Sequence, residues 1–258
     1  MSVFRLTAAL ALFVALAAAA DLPGSARLDR AVTVGLQRAA PSADVPAAML
    51  ALLADPEIII PGLAAAGLIL LLVRDPRHGR ALLLLAAGIA GVSLVVLILQ
   101  HVIAHPLPPL ALTRGIARRG LTLGEGEAIV PGMAAAGLIL LLLHRTGHGR
   151  AWLWLTVGVL GVGLAAFIPK QVSIHLGQRL IGTTGLTPGG FPSAHTTRTT
   201  LFAGTVLWRV PALAAAVVVS MMASLVYLGV HWMSEVLGGC CLGWACAEVA
   251  RGLWRRLG

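Results

Sequence analysis

The chain has 258 residues, of which 58% are hydrophobic and 11% charged, with a mean hydropathy of +0.92. A soluble globular domain carries about a quarter charged residues, so this composition excludes one and describes an integral membrane protein. The formal charge of +9 raises nucleic acid as a partner, but the arginines sit in short loops between apolar runs, with no basic stripe interleaved with aromatics, and no nucleic-acid binding is expected.

In chain order, apolar runs of spanning or near-spanning length fall at 3–20, 57–73, 81–104, 127–143, 151–169, 194–209, 211–229 and 234–250. A helix needs roughly 17–25 residues to cross a bilayer. The expected fold is therefore an all-α polytopic bundle of about eight transmembrane helices. The first run carries Arg5 near its start and ends in small residues at Ala20, a pattern that fits either a signal peptide or a first transmembrane helix; cleavage would leave seven spans. Residues 21–56 read as an outer loop, 57–126 as one copy of a hairpin repeat, and 127–258 as a second copy followed by the functional core. The repeat is visible as PGLAAAGLILLLVRDPRHGRA (61–81) and PGMAAAGLILLLLHRTGHGRA (131–151), identical at 15 of 21 positions. Each copy is one helical hairpin, so the copies share an orientation, unlike inverted transporter repeats.

The arginines set the expected topology. RDPRHGR (74–80), HRTGHGR (144–150), Arg209 and the tail from Arg251 fall on alternate turns, which the positive-inside rule places in the cytoplasm. The outward set is then 21–56, 105–126, 170–193 and the turn at His231. Cys240, Cys241 and Cys246 share one apolar run without CxxC or Cys/His spacing, so neither a metal site nor a disulfide framework is expected. The glycines of GGCCLG (238–243) are expected to let helices pack closely.

With this topology the unusual polar residues gather on the outer face: Lys170, the only lysine, then Arg179, Ser193, His195, Arg198, His231 and Glu235. The spans carry few ionisable groups, which suits a site at the membrane surface and speaks against an ion path or transporter. Singly, each residue is explained as an interfacial anchor, a solvated histidine or a helix-dipole partner; their convergence carries the functional reading. In FPSAH, Pro192 suits an early helical position and Ser193 a cap, so the free N–H groups of the next helix attract an anion. Lys170, with Arg179 or Arg198, adds positive charge around a phosphate. His231 and Glu235 are four apart, so one helical face lets the carboxylate orient the imidazole. One histidine then serves as nucleophile and the other protonates a leaving oxygen, with neither metal nor cofactor.

These residues also carry a family resemblance. FPSAHTT (191–197) resembles the P-S-G-H motif, and SLVYLGVHWMSEVLGG (224–239) the S-R-x5-H-x3-D motif, of the type 2 phosphatidic acid phosphatases, membrane lipid phosphatases related to vanadium haloperoxidases. The resemblance implies a six-helix membrane core with its site at the outer surface of the cytoplasmic membrane. It also implies His231 as a nucleophile forming a phosphohistidine, Glu235 as its partner, His195 as the acid, and Lys170, Ser193 and Ala194 at the phosphate. A lipid phosphate or isoprenyl diphosphate is the implied substrate. The pattern departs at several positions. Gly177 and Gln178 stand where the first motif has Arg-Pro, and in the first repeat Gln100 and Leu107 replace its lysine and arginine. Leu225 replaces the third-motif arginine, Ala194 the glycine and Glu235 the aspartate. Arg198 or Arg179 is the expected substitute for the lost charge. The alternative is an inactive member that binds lipid headgroups or a membrane partner.

Overall fold

The computed structural model describes residues 3–20, 22–72, 76–103, 105–109, 111–114 and 190–257. Among them are eight helices: α1 (Val3–Ala20), α2 (Pro23–Ala39), α3 (Asp44–Leu53), α4 (Pro56–Leu72), α5 (Pro76–Ile103), α6 (Ala194–Val206), α7 (Pro211–Leu228) and α8 (Met233–Leu257). The expected spans at 127–143 and 151–169, the second repeat copy, Lys170 and Arg179 lie outside the described residues. Helices α1, α5 and α7, and α8 as far as Leu253, are long and apolar enough to cross a membrane, and the chain is a multi-pass membrane protein. Helix α5 starts five residues earlier than the hydropathy suggests, because Pro76 is pre-organised for a first helical turn.

Residues 21–56, expected as a loop, hold two helices. Helix α2 is polar and amphipathic, with Pro23 at its start. It contributes Val32 and Leu36, and α3 contributes Ala51, to the cluster around Met221, Leu225 and Val226 of α7 and Val236 of α8. Gln37 of α2 donates to the carbonyls of Leu112 and Tyr227, both at 2.8 Å. Arg114 pairs with Asp44 at 2.7 Å and lies over the Tyr227 ring, whose hydroxyl donates to Asp44 at 2.7 Å.

The chain divides into two compact units. One comprises Met1–Asp55, Ile89–Leu121 and Leu186–Gly258; the other Pro56–Gly88 and Thr122–Gly185. In the second unit the first repeat copy forms a close hairpin. A Cβ on Gly67 would lie 2.9 Å from the Gly79 carbonyl oxygen, and one on Gly79 would lie 2.7 Å from that of Gly67. Both glycines recur in the second copy of the repeated sequence.

The first unit is organised around α6, an interior helix with a polar sequence. Its threonines 196, 197, 199, 200 and 205 and Arg198 are all buried. Thr197 and Thr205 turn their hydroxyls back onto carbonyls four residues earlier, at 2.8 and 2.7 Å, which satisfies them without solvent. Lipid tails are as apolar as leucine, so small residues and close packing, more than burial, hold such helices together. The seam between α6 and α8 shows this. A Cβ on Gly239 would meet the Ser193 carbonyl oxygen at 2.5 Å, and one on Gly243 would meet the Thr197 carbonyl at 2.5 Å and Thr200 Cβ at 2.7 Å. Gly204 of α6 in turn faces Ala247 of α8. The close packing expected at GGCCLG is present.

Gly243→Leu should therefore force the pair apart, lowering the thermal unfolding temperature in detergent by an amount equivalent to about 1–3 kcal/mol. Gly243→Ser should lower it less. Equal melting of Gly243→Leu and wild type would refute the seam's role.

Helix α1 packs on α8. Phe13 meets the fully buried Phe191 ring at 5.5 Å between centroids, inside a cluster that includes Val96 of α5 and Leu242 of α8. At one end of the unit lie Ala20, His105, Ser193 and His231. At the other, Arg251 donates to the Gly204 carbonyl at 3.1 Å and pairs with Glu248, which Arg5 approaches at 4.0 Å.

Candidate active site

The first end holds the candidate constellation, assembled from the starts of α6 and α8. Ser193 caps α6 from an extended backbone conformation, its Oγ accepting from Thr196 N at 3.4 Å. Its own N–H donates to the Glu235 carbonyl at 3.0 Å, which ties the start of α6 to the first turn of α8. Among the described residues the N–H groups of Ala194 and His195 have no such partner, so the first turn of α6 offers two donors.

Helix α7 ends at Gly229, whose φ of +66° is the left-handed conformation that glycine adopts without a Cβ penalty. A Cβ there would also collide with the Leu112 carbonyl. The tight reversal brings His231 to the start of α8 after two residues. Glu235, in the first turn of α8, reaches back so that Oε2 accepts from Trp232 N at 3.1 Å, the carboxylate half of a capping box. Asp29 of α2 completes the cap: it accepts from Ser234 N at 3.0 Å and from the Ser234 hydroxyl at 2.7 Å.

His231 Nδ1 lies 2.7 Å from Glu235 Oε2. An ionised carboxylate only accepts, so Nδ1 carries the hydrogen and the other ring nitrogen keeps its lone pair. The His195 ring lies 6.2 Å from that of His231, inclined at 60°. Glu235 is fully buried, and its second oxygen, Oε1, is 3.0 Å from His105 Nδ1. A Cβ on Gly190 would collide with this carboxylate, so the residue ahead of Phe191 has to be glycine.

The structure thus brings together His231, Glu235, His195, Ser193 and Ala194. Arg198 lies one turn further along α6, buried, its Nε donating to the Ala54 carbonyl at 2.8 Å and its charge facing Asp55. Gln100, at the position of a motif lysine, donates to the Pro192 carbonyl at 2.9 Å and so steadies the loop before α6. His105, Asp29 and Gly190 have no assigned role in the sequence reading. Only His105 gives a signal there, as a histidine beside a proline between apolar spans. Among the described residues, no group of three or more His, Cys, Asp or Glu side chains is placed to hold a metal ion.

No family model matches the chain, and no curated protein sequence matches it. A solved structure does: the crystal structure of the first transmembrane PAP2 type phosphatidylglycerolphosphate phosphatase from Bacillus subtilis. The match has a TM-score of 0.62 and covers 99% of this chain and 98% of the other, at 16% identity. The chain therefore shares the polytopic helical fold of a transmembrane PAP2-type phosphatase.

Proposed function

We propose that the chain is a membrane phosphatase that hydrolyses a lipid phosphate or isoprenyl diphosphate without a metal, through a phosphohistidine on His231. The observation that carries this reading is the 2.7 Å contact of His231 Nδ1 with buried Glu235, with His195 alongside at the N-terminus of α6. The free ring nitrogen of His231 attacks phosphorus, and the bond from phosphorus to the lipid oxygen breaks as the N–P bond forms. The N–H groups of Ala194 and His195 face the phosphoryl oxygens, where negative charge is held. The charge of the phosphate favours a protonated His195 imidazole, which gives its proton to the departing oxygen. Water then attacks the phosphohistidine while His195 takes its proton, and inorganic phosphate and neutral His231 are released. Glu235 stabilises the charge on His231 during both steps. Lys170 is assigned to the phosphate on the resemblance and on its charge, and Arg179 as a substitute for the arginine that the first motif lacks.

Arg198 is assigned as the substitute for a motif arginine. Leu225, at the position of that arginine, is 1% exposed and packs in one cluster with Ala54. Arg198 reaches the carbonyl of the same Ala54, bringing a guanidinium to the neighbourhood that Leu225 leaves uncharged. Losing a charge-assisted hydrogen bond to substrate costs about 1.5–3 kcal/mol, so Arg198→Ala should lower kcat/KM roughly 10- to 100-fold. Arg198→Lys should recover part of it. Unchanged kcat/KM in Arg198→Ala would remove this assignment.

Positively charged Arg5, Arg209 and Arg251 belong to the short turns and termini away from the site, which supports a cytoplasmic location for that end and a periplasmic or exterior active site. The reading is tested by phosphate release from phosphatidate, phosphatidylglycerol phosphate and farnesyl diphosphate in mixed micelles with a chelator present. One observation favours a second reading, a protein that binds headgroups without turnover: Arg198 is already engaged by Ala54 and Asp55. Vanadate binding with no phosphate released from any of the three lipids would select it.

A further inference from the structure

Glu235 is held from two sides by histidines that are far apart in sequence. Oε2 accepts from His231 Nδ1 and Trp232 N; Oε1 lies 3.0 Å from His105 Nδ1. The carboxylate only accepts, so His105 Nδ1 carries a hydrogen as His231 Nδ1 does. The other ring nitrogen of His105 lies 3.3 Å from the Ala20 carbonyl, a second acceptor.

The segment around His105 is fixed at several points. Its carbonyl accepts from Gly190 N at 2.7 Å, and the next carbonyl, of Pro106, accepts from Trp232 Nε1 at 3.0 Å. His105 is thus tied to the residues that precede both α6 and α8. The terminal torsion of a glutamate is broad and roughly two-fold, so one hydrogen bond to His231 does not by itself fix the carboxylate plane. A second donor on the opposite oxygen does. The longer glutamate side chain, where the motif has aspartate, supplies the reach to span two imidazoles.

We propose that His105 is a positioning residue. By donating Nδ1–H to Oε1 it locks the Glu235 carboxylate so that Oε2 stays on His231 and the other ring nitrogen of His231 stays aimed at phosphorus. This rests on the phosphohistidine reading for its effect on turnover, and on geometry alone for its effect on Glu235.

The test compares the full-length wild type with His105→Ala, His105→Asn and His231→Ala in two ways. The first is phosphate release from phosphatidate and farnesyl diphosphate in mixed micelles. The second is the proton NMR signal of the strongly hydrogen-bonded His231 Nδ1–H in the substrate-free protein, assigned by its loss in His231→Ala. His105→Ala should lower kcat roughly 10- to 100-fold, the equivalent of one charge-assisted hydrogen bond, and leave KM within about twofold. It should also shift or broaden the His231 signal. An asparagine amide places an N–H close to where Nδ1–H stood, so His105→Asn should recover most of both. An unchanged kcat in His105→Ala, with His231→Ala inactive, overturns the positioning role and leaves the phosphohistidine reading intact. A rise in KM at constant kcat overturns it too, because His105 would then touch substrate. If wild type and His231→Ala do not differ in turnover, the phosphohistidine reading fails and the NMR signal decides: unchanged in His105→Ala, it overturns the lock. Should His105→Ala not fold, His105→Asn against His105→Leu carries the same comparison.

Discussion

His231→Ala should reduce phosphate release from a lipid phosphate by roughly four orders of magnitude or more, the scale on which loss of a nucleophile abolishes covalent catalysis. His78→Ala, at an exposed position near the start of α5, should turn over like wild type. The effect is large because, among the described residues, the site has no second imidazole placed to replace the nucleophile. His105 is on the far oxygen of Glu235, with both ring nitrogens facing acceptors, and His195 belongs to a different helix with no carboxylate partner among the described residues. The fold should survive the change. Glu235 keeps its hydrogen bonds to Trp232 N and His105, so the cost is the loss of one partner from a buried carboxylate, about 1–3 kcal/mol. Thermal unfolding in detergent separates that cost from the loss of turnover. Full activity in a folded His231→Ala protein would end the phosphohistidine mechanism.

The residues legible from sequence are those whose geometry is local. His231 and Glu235 are four apart across a helix start, and Ser193 follows a proline and precedes a helix; both relations are written in spacing. The Gly239 and Gly243 seam is legible for the same reason, since residues four apart share a helical face. Helix α2 is hidden because apolar run length finds helices that face lipid, whereas α2 is polar and amphipathic and packs on α7 with Val32 and Leu36. Asp29 on that helix caps α8 from 205 residues away, and His105 reaches Glu235 across 130. No periodicity records such pairs, because tertiary packing alone brings them together. Arg198 is an intermediate case. Its charge within an apolar run marks it, but its partner, the Ala54 carbonyl, is set by how α3 ends beside α6.

Glu235→Gln is the second change expected to be severe, with a fall in kcat of roughly 10³- to 10⁴-fold, the scale seen when the orienting acid of a histidine nucleophile–base system becomes an amide and the wrong tautomer results. The carboxylate accepts on both oxygens, and an amide accepts on one and donates on the other. If the amide oxygen faces His231, the NH2 group points at His105 Nδ1, which must shift its hydrogen to the nitrogen facing the Ala20 carbonyl in order to accept, and the negative charge that stabilises His231 during attack is gone. If the amide turns over, its NH2 group faces His231, which must then move its hydrogen to the nitrogen that attacks phosphorus and lose its nucleophilic lone pair. The first arrangement removes the charge that stabilises the His231 cation, and the second gives an inactive tautomer. Glu235→Asp separates charge from reach: it restores the acceptor but shortens the arm by one methylene, so it can hold His231 or His105 but not both. It should recover activity above Glu235→Gln and stay below wild type, with the deficit in kcat and KM little changed. If Glu235→Asp equals wild type, one histidine suffices and reach is irrelevant. If Glu235→Gln retains more than about a tenth of wild-type kcat, the carboxylate does not set the tautomer of His231.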